Sequence, residues 1–282
     1  MRASLSALEH YDRCAEAAAA QIMRHYSTSF SLATRLLSPR VRVDIRNLYA
    51  MVRTADEIVD AGLDPQDAAV LLDAYEATVR AAPSQRFHAD PIVHAFALSA
   101  RRCGFSDEHV AQFFSSMRCD LTHHTHTHDS FEDYVCGSAE VIGLLCLDAF
   151  YAGGPRPSGI EEGARRLGAA FQKINFLRDL REDSAELGRS YFPNLPDPAS
   201  LDEERKTAII TDIRRDLAVA RGAMEKLPRG SRVGVAAATA LFTELTDQLA
   251  ATPAADILTT RVSVSPARKA FLVSRAAASA VK

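Results

Sequence analysis

Two pairs of aspartates with the same spacing carry the chemistry available to this sequence. Asp56 and Asp60 stand four residues apart in LYAMVRTADEIVD, and Asp179 and Asp183 repeat the interval in FQKINFLRDLRED. On a helix turning about 100° per residue, Gln172, Asn175, Asp179 and Asp183 fall within an arc of roughly 80°. Tyr49, Arg53, Asp56 and Asp60 fall within roughly 60°, with Glu57 near the edge. Like charges at this spacing cost a helix about 0.2–0.5 kcal/mol per pair, and Arg53 or Arg178 stands one turn or less before each first aspartate. A bound cation would offset both penalties. Hard divalent cations such as Mg²⁺ take one or two carboxylates and complete their shell with water and substrate phosphate. Two such rows facing across a hollow therefore describe a diphosphate site, whereas one pair alone describes an ordinary charged helix face.

The elements that would hold these rows can be read from spacing and caps. Leu167, Phe171, Ile174, Leu177 and Leu180 flank the second row, so its stripe either meets solvent or lines a cleft between packed helices; the first row favours the cleft. Residues 8–25 are alanine-rich and helix-favouring. Ser38-Pro39 opens the helix that carries Arg53 and Asp56, and Asp64-Pro65 opens another over 65–82. Pro91 begins a helix that ends near Arg102 before Gly104, and Ser106 begins one to Asp120. Ser130 is expected to open the next, to Tyr151, before the break at Gly153-Gly154-Pro155. Ser158 precedes the long helix through Asp183, and Ser200 with Glu203 predicts a capping box for 201–227. Pro228 to Gly230 separates a helix over 231–250 from a short C-terminal one. Strand signals and internal repeats are lacking, so the expectation is all-α, with residues 1–282 forming a single domain.

Composition narrows the class. Of 282 residues, 47% are hydrophobic and 24% charged, the profile of a globular chain rather than a disordered or membrane-spanning one. A net charge of −3 without a basic stripe gives no reason to expect nucleic acid. The five cysteines are odd in number and lack CxxC spacing, which predicts free thiols in a reducing cytosol. Glu9, Asp12 and Glu16 come too early for a secretory signal. The longest apolar run, Val141 to Leu147, falls short of the about 20 residues that span a bilayer. Membrane contact would then be peripheral, at a lipid-accepting mouth.

The sequence resembles the squalene/phytoene synthase family, which joins two allylic prenyl diphosphates head to head, and is most like its bacterial phytoene synthases. The matching blocks run from Tyr26 to Arg42, Leu48 to Asp60, Tyr134 to Leu145, Phe171 to Pro193 and Arg261 to Lys269, in the family's order. The resemblance implies the isoprenoid-synthase helical fold with a central cavity, and Mg²⁺ (or Mn²⁺) held by Asp56, Asp60, Asn175, Asp179 and Asp183. It assigns diphosphate binding to Ser27, Ser29, Arg53, Gln172, Asn175, Arg178, Arg189, Tyr191 and Arg261. Tyr49 and Tyr134 would stabilise a carbocation by their π faces or donate a hydroxyl hydrogen bond.

Four departures from the family pattern stand out. Glu57 occupies a position where many members have aspartate. Thr28 lies between the two serines where many have lysine or arginine. GRSYFP lies one residue further from Asp183 than in many relatives, and LFTELT lacks a tyrosine often present on the penultimate long helix.

The implied reaction ionises one allylic diphosphate, captures the cation with the double bond of a second and rearranges a cyclopropyl intermediate. Small residues Ala33 and Thr34, one turn after Phe30, leave room for a long tail and favour geranylgeranyl diphosphate and phytoene. No dinucleotide fingerprint is present, so NADPH is not expected. The alternatives are transfer of one prenyl group to an aromatic acceptor such as a carbazole, and a non-catalytic prenyl-lipid-binding protein. His123, His124, His126 and His128 form a histidine-rich segment that is expected to be a solvated loop.

Overall fold

The computed structural model describes residues 6–123, 125–186, 188–195 and 197–279. Helix α1 (Ala7–Tyr26) is closed at its start by a reciprocal Ser6–Glu9 capping box. The short α2 (Thr28–Thr34) follows, then α3 (Pro39–Asp60) and α4 (Pro65–Ala81). Helix α5 (Pro91–Cys103) begins where the Asp90 carboxylate accepts from the amides of Ile92 and Val93, and it ends at Gly104 in the left-handed conformation. Next come α6 (Asp107–Asp120), α7 (His128–Val135), α8 (Val141–Tyr151) and the long α9 (Ile160–Glu186). The chain closes with α10 (Glu203–Ala223), α11 (Arg229–Ala251), α12 (Ala254–Ile257) and α13 (Pro266–Ser279). Among the described residues there is no strand, only an isolated bridge between Thr125 and Ser190.

Three sequence expectations are corrected. Helix α7 starts at His128, capped by Thr127 with Ser130 as its reciprocal partner, so Ser130 lies inside the first turn. It joins α8 through a π-helical turn, Cys136–Glu140. The cap of α10 is Asp202; Ser200 ends a preceding 3₁₀ turn, and the Glu203 carboxylate instead accepts from the Ala254 amide. The continuous helical stretch His128–Tyr151 is long and apolar enough to cross a bilayer, beyond the run visible in the sequence, but 61% of its apolar window is buried inside the fold.

The two acid-bearing helices are held by buried polar contacts as well as by apolar packing. On α3, fully buried Asp44 pairs with Arg102 and accepts from Ser99 Oγ at 2.8 Å, and Asn47 donates to the Ala95 carbonyl at 3.0 Å. On α9, Lys173 reaches Asp216 of α10 at 2.7 Å and also contacts Asp212. Removing one partner of such a buried pair costs about 3–5 kcal/mol, so these contacts fix where each helix lies. Glycines let α9 approach its neighbour closely. A Cβ on Gly168 would stand 2.3 Å from the Ala139 carbonyl oxygen, and one on Gly143 would stand 2.4 Å from that of Ala164.

Candidate active site

Between α3 and α9 lies a cavity of about 660 Å³, within the about 300–1,000 Å³ range of small-molecule sites. Asp56 and Asp60 reach it from α3, and Asp179 and Asp183 from α9. The two rows feel each other. Burial pushes Asp183 up to about 7, reinforced by Asp179 and by Asp60 across the gap. Burial likewise pushes Asp56 up to about 7, against the pull of Arg53 and with the push of Asp60 and Asp120. Asp56 keeps 30% of its side-chain surface exposed, and that surface faces the cavity. The charges are thus only partly compensated.

The cations around these rows are already engaged. Arg189 donates to Asp60 at 2.8 Å and to the Val59 carbonyl at 3.0 Å, tying the segment after α9 to the end of α3. Arg261 bridges Asp179 at 2.9 Å and Glu182 at 3.1 Å, while Arg178 pairs with its neighbour Asp179. Arg53 contacts Glu57, lies 3.9 Å from Asp56 and covers the Tyr26 ring at 4.4 Å. Ser27 caps α2 by accepting from the Phe30 amide, and Ser29, Gln172, Asn175, Tyr49, Tyr134 and Tyr191 complete the polar wall. Every site residue expected from the sequence therefore borders this one cavity.

Away from the acids the wall is apolar. Phe171 stacks on Phe242 with ring centroids 4.0 Å apart, and Phe30 lies 5.3 Å from Phe242. Buried Ala33 and Thr34 line the same wall, with Leu37 and Leu48 further along. On α3 the lining runs from Ile45 to Asp60, about 22 Å of helix. A charged head and an extended apolar tail have separate, contiguous places here.

A model of the family described as Squalene/phytoene synthase matches residues 23–195. The chain belongs to the squalene/phytoene synthase family. It is accordingly a head-to-head prenyltransferase of the squalene/phytoene class, acting on prenyl diphosphates. The phytoene synthases of Mycobacterium bovis and Mycobacterium tuberculosis are each 28% identical over 278 residues, covering 92% of this chain and 89% of theirs. A hydroxysqualene synthase of Sinorhizobium fredii is 30% identical over 171 residues, covering 60% of this chain and 56% of its own. Among solved structures, a dehydrosqualene synthase superposes with a TM-score of 0.80 at 20% identity, covering 96% of this chain and 98% of that one. A squalene synthase from Alicyclobacillus acidocaldarius gives 0.73 at 19%, covering 85% and 93%. These likenesses show the all-α isoprenoid-synthase fold.

Two cavity residues escaped the sequence reading. Lys269, at the start of α13, places its Nζ 2.6 Å from Thr28 Oγ1. The cation lacking between Ser27 and Ser29 thus arrives from the other end of the chain. Buried Asp120, at the end of α6, accepts from Tyr134 Oη at 2.7 Å and from Tyr191 Oη at 3.3 Å. Its signal was an acid on the buried face of an amphipathic helix, in register with Phe113 and Met117. Both phenol protons are committed to this carboxylate. Tyr49 is a neutral phenol, pushed up to about 12 by burial.

The histidine-rich segment is less solvated than expected. His123 and His128 are exposed, but His126 is half-buried against Tyr134 and Tyr191, at 5.1 and 5.8 Å between ring centroids, and burial lowers its pKa. His124 lies outside the described residues. None of the five cysteines is disulfide bonded.

The carboxylates and the Asn175 amide offer hard oxygen donors that suit Mg²⁺, and their partly uncompensated charge is what a dication neutralises. Among the described residues no three His, Cys, Asp or Glu side chains converge closely enough to enclose an ion alone. Water and diphosphate oxygens would have to complete its shell.

Proposed function

We propose that the protein condenses two geranylgeranyl diphosphates head to head into phytoene through a cyclopropyl diphosphate. The observation that carries this reading is the pair of acid rows on α3 and α9 facing one cavity whose remaining wall is apolar. Asp56, Asp60, Asn175, Asp179 and Asp183 would hold Mg²⁺, which supplies charge to a pyrophosphate leaving group. Arg53, Arg189 and Arg261, released from their carboxylates, bind pyrophosphate oxygens through planar forks that match them.

In the first half, the C1–O bond of one substrate breaks, pyrophosphate leaves, and the allylic cation is captured by the double bond of the second. A proton is then lost as the cyclopropane closes. In the second half the remaining C–O bond breaks, the second pyrophosphate leaves, and the rearranged cation loses another proton. Two pyrophosphates and two protons are released per C40 hydrocarbon, and no reductant is consumed. Phe30, Phe171 and Phe242 exclude water from the cationic carbons and present π faces to them.

Ala33 and Thr34 support the longer substrate because they leave the tail path open beside Phe30. The rival in which a single prenyl group passes to an aromatic acceptor drew on the missing cation at Thr28. It drew equally on the tyrosine missing from LFTELT; Lys269, beside Thr28, meets the first of these two grounds and leaves the second. The test is incubation of purified protein with Mg²⁺ and a panel of prenyl diphosphates, without NADPH, followed by mass spectrometry. A C40 hydrocarbon from geranylgeranyl diphosphate is expected, and its yield should fall by about 10² or more in Asp183→Asn. Unchanged substrate with folded protein rejects the reading.

A further inference from the structure

The corner where α1, α2 and α3 meet gathers positive charge without an acid to balance it. Arg24 lies in the last turn of α1, Arg35 follows the end of α2, and Arg42 and Arg46 stand one turn apart on α3. The Arg42 guanidinium is held in place as Nη2 donates to the carbonyls of Arg35 at 2.9 Å and Leu37 at 3.0 Å, and its Nε has no acceptor. Arg46 is half-buried, and burial together with Arg42, Arg24 and Arg35 lowers its pKa. Among the described residues none of the four forms an ion pair with a carboxylate. Elsewhere, partly buried arginines such as Arg102 and Arg156 are each paired with an aspartate. The first turn of α3 has no acid and its N-cap Ser38 makes no side-chain bond, so the positive end of this 22-residue helix adds to the same field.

A chain of net charge −3 has acids to spare, yet none neutralises this corner. We propose that Arg24, Arg35, Arg42 and Arg46 form a binding site for a phosphoryl anion, separate from the acid-lined cavity. Planar guanidinium forks match phosphate oxygens, and several unneutralised charges call for a multiply charged anion rather than one carboxylate. None of the four borders the cavity. Arg46 precedes Asp56 by ten residues, about 15 Å along α3. The site depends on neither the metal nor the reaction proposed above. Its ligand is a free phosphate or pyrophosphate, or the phosphate headgroup of an anionic lipid.

The experiment compares the parent with Arg35→Gln/Arg46→Gln in EDTA, which strips divalent cations from the acid rows. Thermal unfolding with added sodium pyrophosphate probes the free anion. Co-sedimentation with phosphatidylcholine vesicles, with and without phosphatidylglycerol, probes the headgroup. Because the double substitution relieves repulsion, the variant is expected to fold and, without anion, to melt no lower than the parent. Pyrophosphate should raise the parent's Tm and bind the variant at least about tenfold more weakly. Alternatively, phosphatidylglycerol vesicles should carry down the parent and not the variant, which assigns the lipid source. Arg46→Lys, which keeps the charge but loses the fork, should bind the effective probe with intermediate strength. Parent and variants responding alike to both probes, or a parent that responds to neither, overturns the proposal.

Discussion

Lys269 and Thr28 are 241 positions apart in sequence and 2.6 Å apart in space. A hydrogen bond to a charged group is worth about 1.5–3 kcal/mol. If Lys269 also faces a bound diphosphate, Lys269→Ala should raise KM by about 10- to 100-fold with less effect on kcat. Thr28→Lys in the same background should restore most of the loss, because a lysine there occupies the same polar wall; steady-state kinetics of the two variants check both. Asp120 makes a different prediction. Burial lifts it from 3.8 to about 6 despite Arg189 and the Tyr134 hydrogen bond. A carboxyl with a higher pKa in the folded state favours folding while protonated, fully below about pH 3.8, and this contribution is lost as pH rises through about 6. The stability of the parent relative to Asp120→Asn should therefore decline between about pH 4 and pH 7 in denaturant melts. A pH-independent difference would contradict its desolvation. The acids were legible because helical spacing is a local property. Lys269 could not be placed from its own neighbourhood, since its partner is set by how α13 packs against α2.

At the scale of the helix, the closeness of α9 to the π-helical turn is set by one missing methyl group. A Cβ on Gly168 would meet backbone atoms of Ala139 at 2.3 and 2.9 Å, and backbone cannot rotate aside. Gly168→Ala should cost about 1–3 kcal/mol. Calorimetry should register this as a Tm lowered by about 2–4 °C per kcal/mol. Helix ends followed caps and breakers well where proline or glycine marked them, as at Asp90-Pro91 and Gly104. They were misread where two candidates competed. Asp202 holds the cap of α10, its carboxylate accepting from the Arg205 amide at 2.8 Å, because Ser200 is taken up in the 3₁₀ turn that ends two residues earlier. The π-helical turn Cys136–Glu140 was not legible either, since the sequence from Ser130 to Tyr151 reads as one uninterrupted helix.

At the scale of the molecule, the cavity joins two kinds of wall, and its tail end should decide which substrate is used. Ala33→Phe should fill the path beside Phe30 and shift consumption from geranylgeranyl toward farnesyl diphosphate by roughly tenfold or more. Competition between the two substrates, read by mass spectrometry of the products, measures this ratio. An unchanged ratio would mean that Ala33 does not bound the tail. That a hollow would exist between the acid rows followed from the opposed stripes. Its length did not, because it depends on Gly163, Gly168 and Gly234 and on the backbone and side-chain atoms that face them from elsewhere in the fold.

Helix α9 spans 27 residues and contributes both Asp183 and, near its start, Ile160 to that lining. The point where a diphosphate would be gripped and a wall that its tail would run along thus lie on a single rigid rod. Such an arrangement works as a ruler: a stop placed along that wall resets the longest molecule admitted, while the zero mark, and the bond-breaking done there, stays where it was.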